Sequence, residues 1–196
     1  MSNKRINPGP EEEEGGERVE LFRTRRKRQR LSEVVPKDVA SRCLELSAYH
    51  FDLRYPTIDH VHADCLLVMR SPEGAVIATA FVHDHASYVK LFTLSTSEQG
   101  VGIGSRFMRR AERVLAHAFP GASGVKLLAS DETNTRSPEV VVRVSVRRDG
   151  SVCVTVRPCG ADNLDKRRRF YSRQGYAPIA ETDKTATMWK SLVVAP

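Results

Sequence analysis

The sequence has little that would tie it to a metal, a membrane or the secretory route. Its four cysteines, Cys43, Cys65, Cys153 and Cys159, form no Cys-x-x-Cys pair. That speaks against a zinc site and makes reduced thiols of a cytoplasmic protein the default. The histidines are scattered: His60/His62 and His83/His85 are the close pairs, and each fits a loop or strand face better than ligand spacing. No apolar run approaches the roughly 20 residues that a membrane helix needs. The chain opens polar and then acidic, without the apolar stretch of a secretory signal. Neither a metal nor a membrane is expected.

Charge is not scarce, but its surplus is local. The net charge of +7 owes much to Arg23-Thr24-Arg25-Arg26-Lys27-Arg28-Gln29-Arg30, which follows the acidic run Glu11 to Glu14. Residues 1–30 read as a disordered acidic and basic tail, and 31–196 as one domain large enough for a single core. The basic run could contact a polyanion, an acidic partner or a nuclear import receptor, which would make the nucleus a second location. It could equally be a solvated segment or the exposed end of a first strand, since Val19-Glu20-Leu21-Phe22 alternates weakly. No aromatic residue interleaves the arginines, so stacking on single strands is disfavoured.

The most informative stretch runs from Val89 to Ala118. A strand, Val89-Lys90-Leu91-Phe92-Thr93-Leu94, leads into Gln99-Gly100-Val101-Gly102-Ile103-Gly104 and then an amphipathic helix. Ile103, Phe107, Ala111, Val114, Leu115 and Ala118 recur at helical spacing, with Arg106, Arg109, Arg110 and Arg113 opposite, and Phe119-Pro120-Gly121 stops the helix. Alternate glycines at a helix start let backbone N–H groups approach a bulky anion. The pyrophosphate of a coenzyme matches best. A dinucleotide fingerprint needs glycine where Ser105 stands, and a triphosphate loop needs a lysine that is missing here.

What fits is Gln/Arg, two residues, Gly, one residue, Gly/Ala, met by Gln99, Gly102 and Gly104. A second stretch, Arg168-Arg169-Phe170-Tyr171-Ser172-Arg173-Gln174-Gly175-Tyr176, reads as a helix ended by a left-handed Gly175 and followed by a strand. In these two stretches, over about residues 32 to 193, the chain resembles the GNAT superfamily of N-acetyltransferases. The resemblance implies an α/β (α+β) fold with a mixed, mostly antiparallel central sheet flanked by helices. It implies acetyl-CoA as co-substrate, held around Phe92, Leu94, Gln99, Gly100, Val101, Gly102, Ile103, Gly104 and Ser105, and Tyr171 as general acid. The chain departs from the family at Leu164 and Arg167, where Asn and Ala are frequent, and at Val101, where a basic residue is common. Asn163, one position off, and Asn134, after the preceding strand, are the candidates for the asparagine contact with the coenzyme.

Along the chain, Ser32 is expected to cap a helix running to about Tyr49, with Pro36 in its first turn. Tyr55 to Asp64 reads as a polar connection. Strands Cys65–Arg70 and Ala75–Val82 are joined by Ser71-Pro72-Glu73-Gly74, so three antiparallel strands precede the glycine loop. Another strand is expected around Val125 to Ser130, a helix over Asn163–Gln174, and a closing strand over Thr185–Leu192. Between them, 137–160 reads as an inserted hairpin. A three-residue loop over Arg148-Asp149-Gly150 pairs Val146 with Val152, Val144 with Val154 and Val142 with Val156, giving one apolar face. That face must pack on the domain or on a second copy, which makes a homodimer an option.

Acetyl transfer to an amine needs a free amine, a site for the oxyanion and a proton for the departing thiolate. Tyr171 suits the last, because a phenol of pKa about 10 is protonated at neutral pH while a thiol titrates near 8.5. For the base, Asp131 and Glu132 end the fifth strand near where the acceptor should enter. His83, Asp84 and His85 are outside candidates, and a base acting through water is equally open. The function expected is transfer from acetyl-CoA to a primary amine of a small molecule or protein. The alternative is a GNAT-like binding domain without turnover, or a basic module for nucleic acid or an acidic partner.

Overall fold

The computed structural model describes residues 16–24, 29–47, 57–130, 140–146, 152–158, 161–182 and 185–192, and side chains for these except 130, 140–146, 152–158 and 161–163. In chain order the elements are β1 (Arg18–Arg23), α1 (Lys37–Leu46), β2 (Cys65–Arg70), β3 (Val76–Asp84), β4 (Val89–Thr96), α2 (Ile103–Ala118), β5 (Gly124–Ser130), β6 (Val140–Val146), β7 (Val152–Pro158), α3 (Ala161–Arg173), β8 (Ala177–Glu181) and β9 (Thr185–Ser191). Single 3-10 turns lie at Leu31–Glu33 and Ile58–Val61. Seven strands form one sheet in the order β1-β2-β3-β4-β5-β9-β8. Every pairing is antiparallel except β4 with β5. The fold is thus the mixed, mostly antiparallel sheet with helices that the sequence implied.

Each face of the sheet buries its own cluster. On one, Leu67, Met69, Ala80, Val82, Leu91 and Leu127 pack with Phe107, Met108, Ala111 and Leu115 of α2. On the other, Phe22, Leu66, Val68 and Phe81 pack with Val35, Val39, Cys43 and Ile58. Covered on both faces, β2 is buried from Cys65 to Met69, so it reads as an unbroken apolar run where a half-exposed strand would alternate. The arginine face of α2 is put to structural use at the sheet edge. Glu17, just before β1, accepts from Arg106 Nε and Nη2 at 3.0 Å, and its backbone carbonyl accepts from Arg110.

Three sequence expectations are corrected. The tail assigned to 1–30 contains β1, which pairs with β2 from Arg18↔Arg70 to Arg23↔Cys65. Its alternation is weak because Glu20 is buried too, held by Arg70 Nε at 3.3 Å. Ser32 caps no helix. It binds Asp59 through its N–H (2.9 Å) and hydroxyl (2.5 Å), and α1 begins only after Pro36, whose extended ψ of 145° is not helical. Thr185–Ser191 does not close the sheet but lies between β5 and β8. Edge strand β8 carries Pro178, and proline is tolerated at an edge. The hairpin pairs in the expected register, Val146↔Val152, Val144↔Val154 and Val142↔Val156, as β6 and β7. Arg23 is engaged rather than offered to a polyanion: it binds Asp84 at 2.8 Å and stacks over Phe119 at 4.5 Å. Residues 25–28 of the basic run lie outside the described residues.

The β1 pairing makes a truncation prediction. A chain starting at Leu31 loses the buried side chains of Val19, Leu21 and Phe22, each worth about 1.5–3 kcal/mol. It also removes the Glu17 contacts of Arg106 and Arg110. Stability should fall by on the order of 5 kcal/mol, comparable with the whole reserve of a typical domain. A chain starting at residue 15 should keep it. Circular-dichroism melts decide: equal midpoints for the two truncations would mean that β1 contributes nothing.

Candidate active site

The sheet opens at its one parallel junction. Only Val89↔Val125, Lys90↔Lys126 and Leu91↔Leu127 pair β4 with β5. Beyond them β4 continues to Thr96 and β5 to Ser130, unpaired with each other. On the opposite side, β4 has a bulge. Phe81 pairs with Phe92 but Thr79 with Ser95, so β4 carries one extra residue there, and Thr93 takes a left-handed φ of 51°. A bulge re-aims side chains. Phe92 packs with the α1-side cluster whereas Leu94 packs with the α2-side cluster. Two residues apart in a regular strand, they would share a face.

The unpaired end of β4 runs into the glycine loop. Gly100 (φ 84°) and Gly102 (φ 81°) are both left-handed, and a Cβ on Gly100 would meet nothing within 4 Å. Gly102 is the N-cap of α2 and brings no side-chain acceptor. Its carbonyl takes the N–H groups of Ser105 and Arg106 at 3.1 Å, so the N–H groups ahead of these remain available at the positive end of the helix. Gln99, Gly100, Val101 and Gly102 are exposed, whereas Ile103 is buried in the core. Gly104 has another purpose: a Cβ there would stand 3.3 Å from Phe170 Cζ of α3. A larger side chain there would press on α3.

That packing joins the two motifs. Gln174 Nε2 donates to Ser105 Oγ at 3.1 Å, and Phe170 abuts Gly104. Tyr171 lies beside Phe170 (ring centroids 5.0 Å) and Tyr176 (6.1 Å), among the residues of the α2-side core that include Leu94. Burial pushes its hydroxyl pKa up to about 12, against a smaller opposite pull from Arg167. The helix end is fixed by Tyr176 N–H on the Tyr171 carbonyl (3.1 Å) and by left-handed Gly175. Lys190 of β9 then ties this turn to α2, donating to the Gln174 carbonyl (2.7 Å) and to Glu112 Oε2 (2.5 Å). Tyr176 is buried, and burial with the Glu112 carboxylate beside it raises its pKa far above the ordinary value.

Sequence reasoning missed Arg106. Its Nη1 donates to the Val101 carbonyl at 3.2 Å and lies 3.3 Å from where a Gly102 Cβ would be. It supplies the cation on the loop that Val101 does not. The signal was present as an arginine four residues after the N-cap, in the first turn. Asp131, Glu132 and Asn134 lie outside the described residues, and Asn163 is in α3 with its side chain outside them. Among the described residues no cluster of three metal-ligating side chains occurs, and no helix is long and apolar enough to cross a membrane.

No protein-family model matches the chain, and no curated protein does. Solved structures do. An acyl-CoA N-acyltransferase from Pseudomonas aeruginosa is 14% identical and superposes with a TM-score of 0.55 over 89% of this chain and 99% of its own. Ard1 from Thermoplasma volcanium (14%, TM-score 0.54) is covered over 99% of its length and spans 90% of this chain. For ElaA from Escherichia coli (14%, TM-score 0.54) the shares are 98% and 88%. At such identity the likeness speaks for architecture: the chain has the fold of the GNAT N-acetyltransferases.

Proposed function

We propose that the protein is an N-acetyltransferase that moves an acetyl group from acetyl-CoA to the primary amine of a small molecule or protein. The parting of β4 and β5 beside an uncapped, glycine-turned helix start carries this reading. The unpaired backbone of β4 offers N–H and C=O groups that must find partners, and an extended amide-bearing arm supplies them. The first-turn N–H groups of α2 and Arg106 suit the pyrophosphate at its far end. Gln99, Gly100 and Gly102 line the approach. The thioester then lies near the bulge, where a backbone N–H around Leu94 receives the oxyanion, a donor worth roughly 2.7–4 kcal/mol in other acyl transfers.

Attack by the amine forms the C–N bond, and collapse of the tetrahedral intermediate breaks C–S. Tyr171 protonates the departing thiolate. A donor with a raised pKa is competent below that value and is lost only as pH rises through about 12, so Tyr171 imposes no basic limb in the neutral range. The burial that raises the phenol would raise a thiolate formed beside it, keeping the two matched.

Two substitutions test the roles separately. Gly102→Asp puts a carboxylate at the anion site and within reach of Arg106; acetyl-CoA affinity measured by calorimetry should drop at least tenfold, or about 1.4 kcal/mol, while circular dichroism stays native. Unchanged affinity in the folded variant would sink the loop assignment. Tyr171→Phe keeps the ring and removes the proton. Its kcat should fall on the order of 10²-fold with little change in coenzyme Kd, and wild-type kcat across pH 6 to 9 would leave Tyr171 a packing residue.

A further inference from the structure

We infer that His83, oriented by Asp64, is the general base that deprotonates the acceptor amine, on the sheet face opposite Tyr171. The inference rests on the acetyltransferase reading and adds to it the residue and the side from which the acceptor enters. The imidazole of His83 stacks on Phe92 with ring centroids 4.6 Å apart and planes 15° apart. Phe92 is the first β4 residue beyond the last β4–β5 pair, Leu91↔Leu127. His83 itself lies on β3 opposite Lys90, and its ring reaches along the α1 side to Phe92, while Tyr171 packs on the α2 side.

Asp64 is built to hold that ring. Its Oδ2 lies 3.5 Å from His83 Nδ1 and accepts the Asp84 N–H at 2.9 Å. Its backbone is pinned by its own N–H to the Val82 carbonyl (3.0 Å) and by the Thr24 N–H to its carbonyl (3.1 Å). A carboxylate at Nδ1 favours the Nδ1–H tautomer and leaves the Nε2 lone pair to accept a proton. The neighbours are worse placed. Asp84 is occupied by Arg23 (2.8 Å) and by the Ala86 N–H (3.0 Å), and His85 is exposed and stacked on Tyr88.

The charged groups around His83 are Asp64, Lys90 opposite it on β4, His85, and the Asp84–Arg23 pair on the neighbouring turn of chain. Burial is the largest influence and lowers the imidazole pKa below 6.5; Asp64 opposes it, while Lys90 and His85 add to it. The ring is neutral at pH 7, the form a base needs, and becomes protonated as pH falls through its lowered pKa. The protons balance. The ammonium gives one proton to Nε2, directly or through one water, and the second leaves nitrogen as the amide forms. The thiolate takes one from Tyr171, which recovers it from the nitrogen side through solvent, so one proton is released per turnover.

The test compares two acceptors with the full chain and acetyl-CoA. An alkylamine is protonated at pH 7 and needs a base, whereas a hydrazide of similar size is already neutral. His83→Gln should lower kcat/KM for the alkylamine about 10²-fold, with a markedly smaller loss for the hydrazide and an unchanged acetyl-CoA Kd. The acid limb of the wild-type profile, below pH 6.5, should vanish. Asp64→Asn should move that limb to lower pH, because Asp64 raises the imidazole pKa. Equal losses on both acceptors, or none on the alkylamine, would overturn the base assignment while leaving the acetyltransferase reading intact. So would a His83 imidazole found protonated at pH 7 by NMR. A wild-type chain that binds acetyl-CoA but acetylates neither acceptor would overturn both.

Discussion

The structure depends on the halt of one parallel ladder after three residue pairs, Val89↔Val125 to Leu91↔Leu127. A sheet core would ordinarily extend that ladder, since buried N–H and C=O groups left unpaired cost about 1–3 kcal/mol each. Here the bulge at Thr93 turns β4 away, while β5 keeps its other edge paired with β9, from Gly124↔Ser191 to Ser130↔Thr185. Gly124 is part of the same arrangement: Trp189 lies over it so closely that a Cβ would collide with the indole. β9 and β8 are thereby fixed to the outer edge of β5.

The opening is useful because of what reaches its rim. α2 starts where β4 ends, and its arginines are drawn back toward the first strand by one carboxylate, Glu17, which faces both Arg106 and Arg110. Hydrogen bonding to Glu17 raises the Arg106 pKa further above its already high value, so the cation is permanent. β1 thus has a double part: it completes the edge of the sheet and its approach sets the guanidinium over the loop. A segment that composition assigns to a tail is, in three dimensions, a support of Arg106 at the start of α2.

What could be read from sequence is what obeys a short period or a turn rule. The stripe Ile103, Phe107, Ala111, Val114, Leu115 has helical spacing and buries as expected. The valines of β6 and β7 pair in the register that their alternation implied. Gly175 takes the left-handed stop its position implied. What could not be read arises from pairs far apart in sequence. Gly104 reads as a loop glycine, and nothing local shows that Phe170, 66 positions later in the chain, packs against it. Phe92 and Leu94 looked equivalent until the bulge sent them to opposite faces. Ser32 looked like a cap because Asp59, its actual partner, lies in a stretch that reads only as polar connection.

The same sheet explains why two titrating side chains drift in opposite directions. Burial penalises the charged form of each, and for a phenol that means a raised pKa while for an imidazole it means a lowered one. Tyr171 is thus kept protonated and His83 unprotonated at neutral pH. Had both sat on one side of the opening, a proton held by one would be available to the other, and the amine and the thiolate would compete for it. The plane of the sheet keeps them apart. Groups whose environments push their pKa values apart are the natural acid and base of a site, and one rule of desolvation, applied to two side chains, suits both to the roles proposed for them.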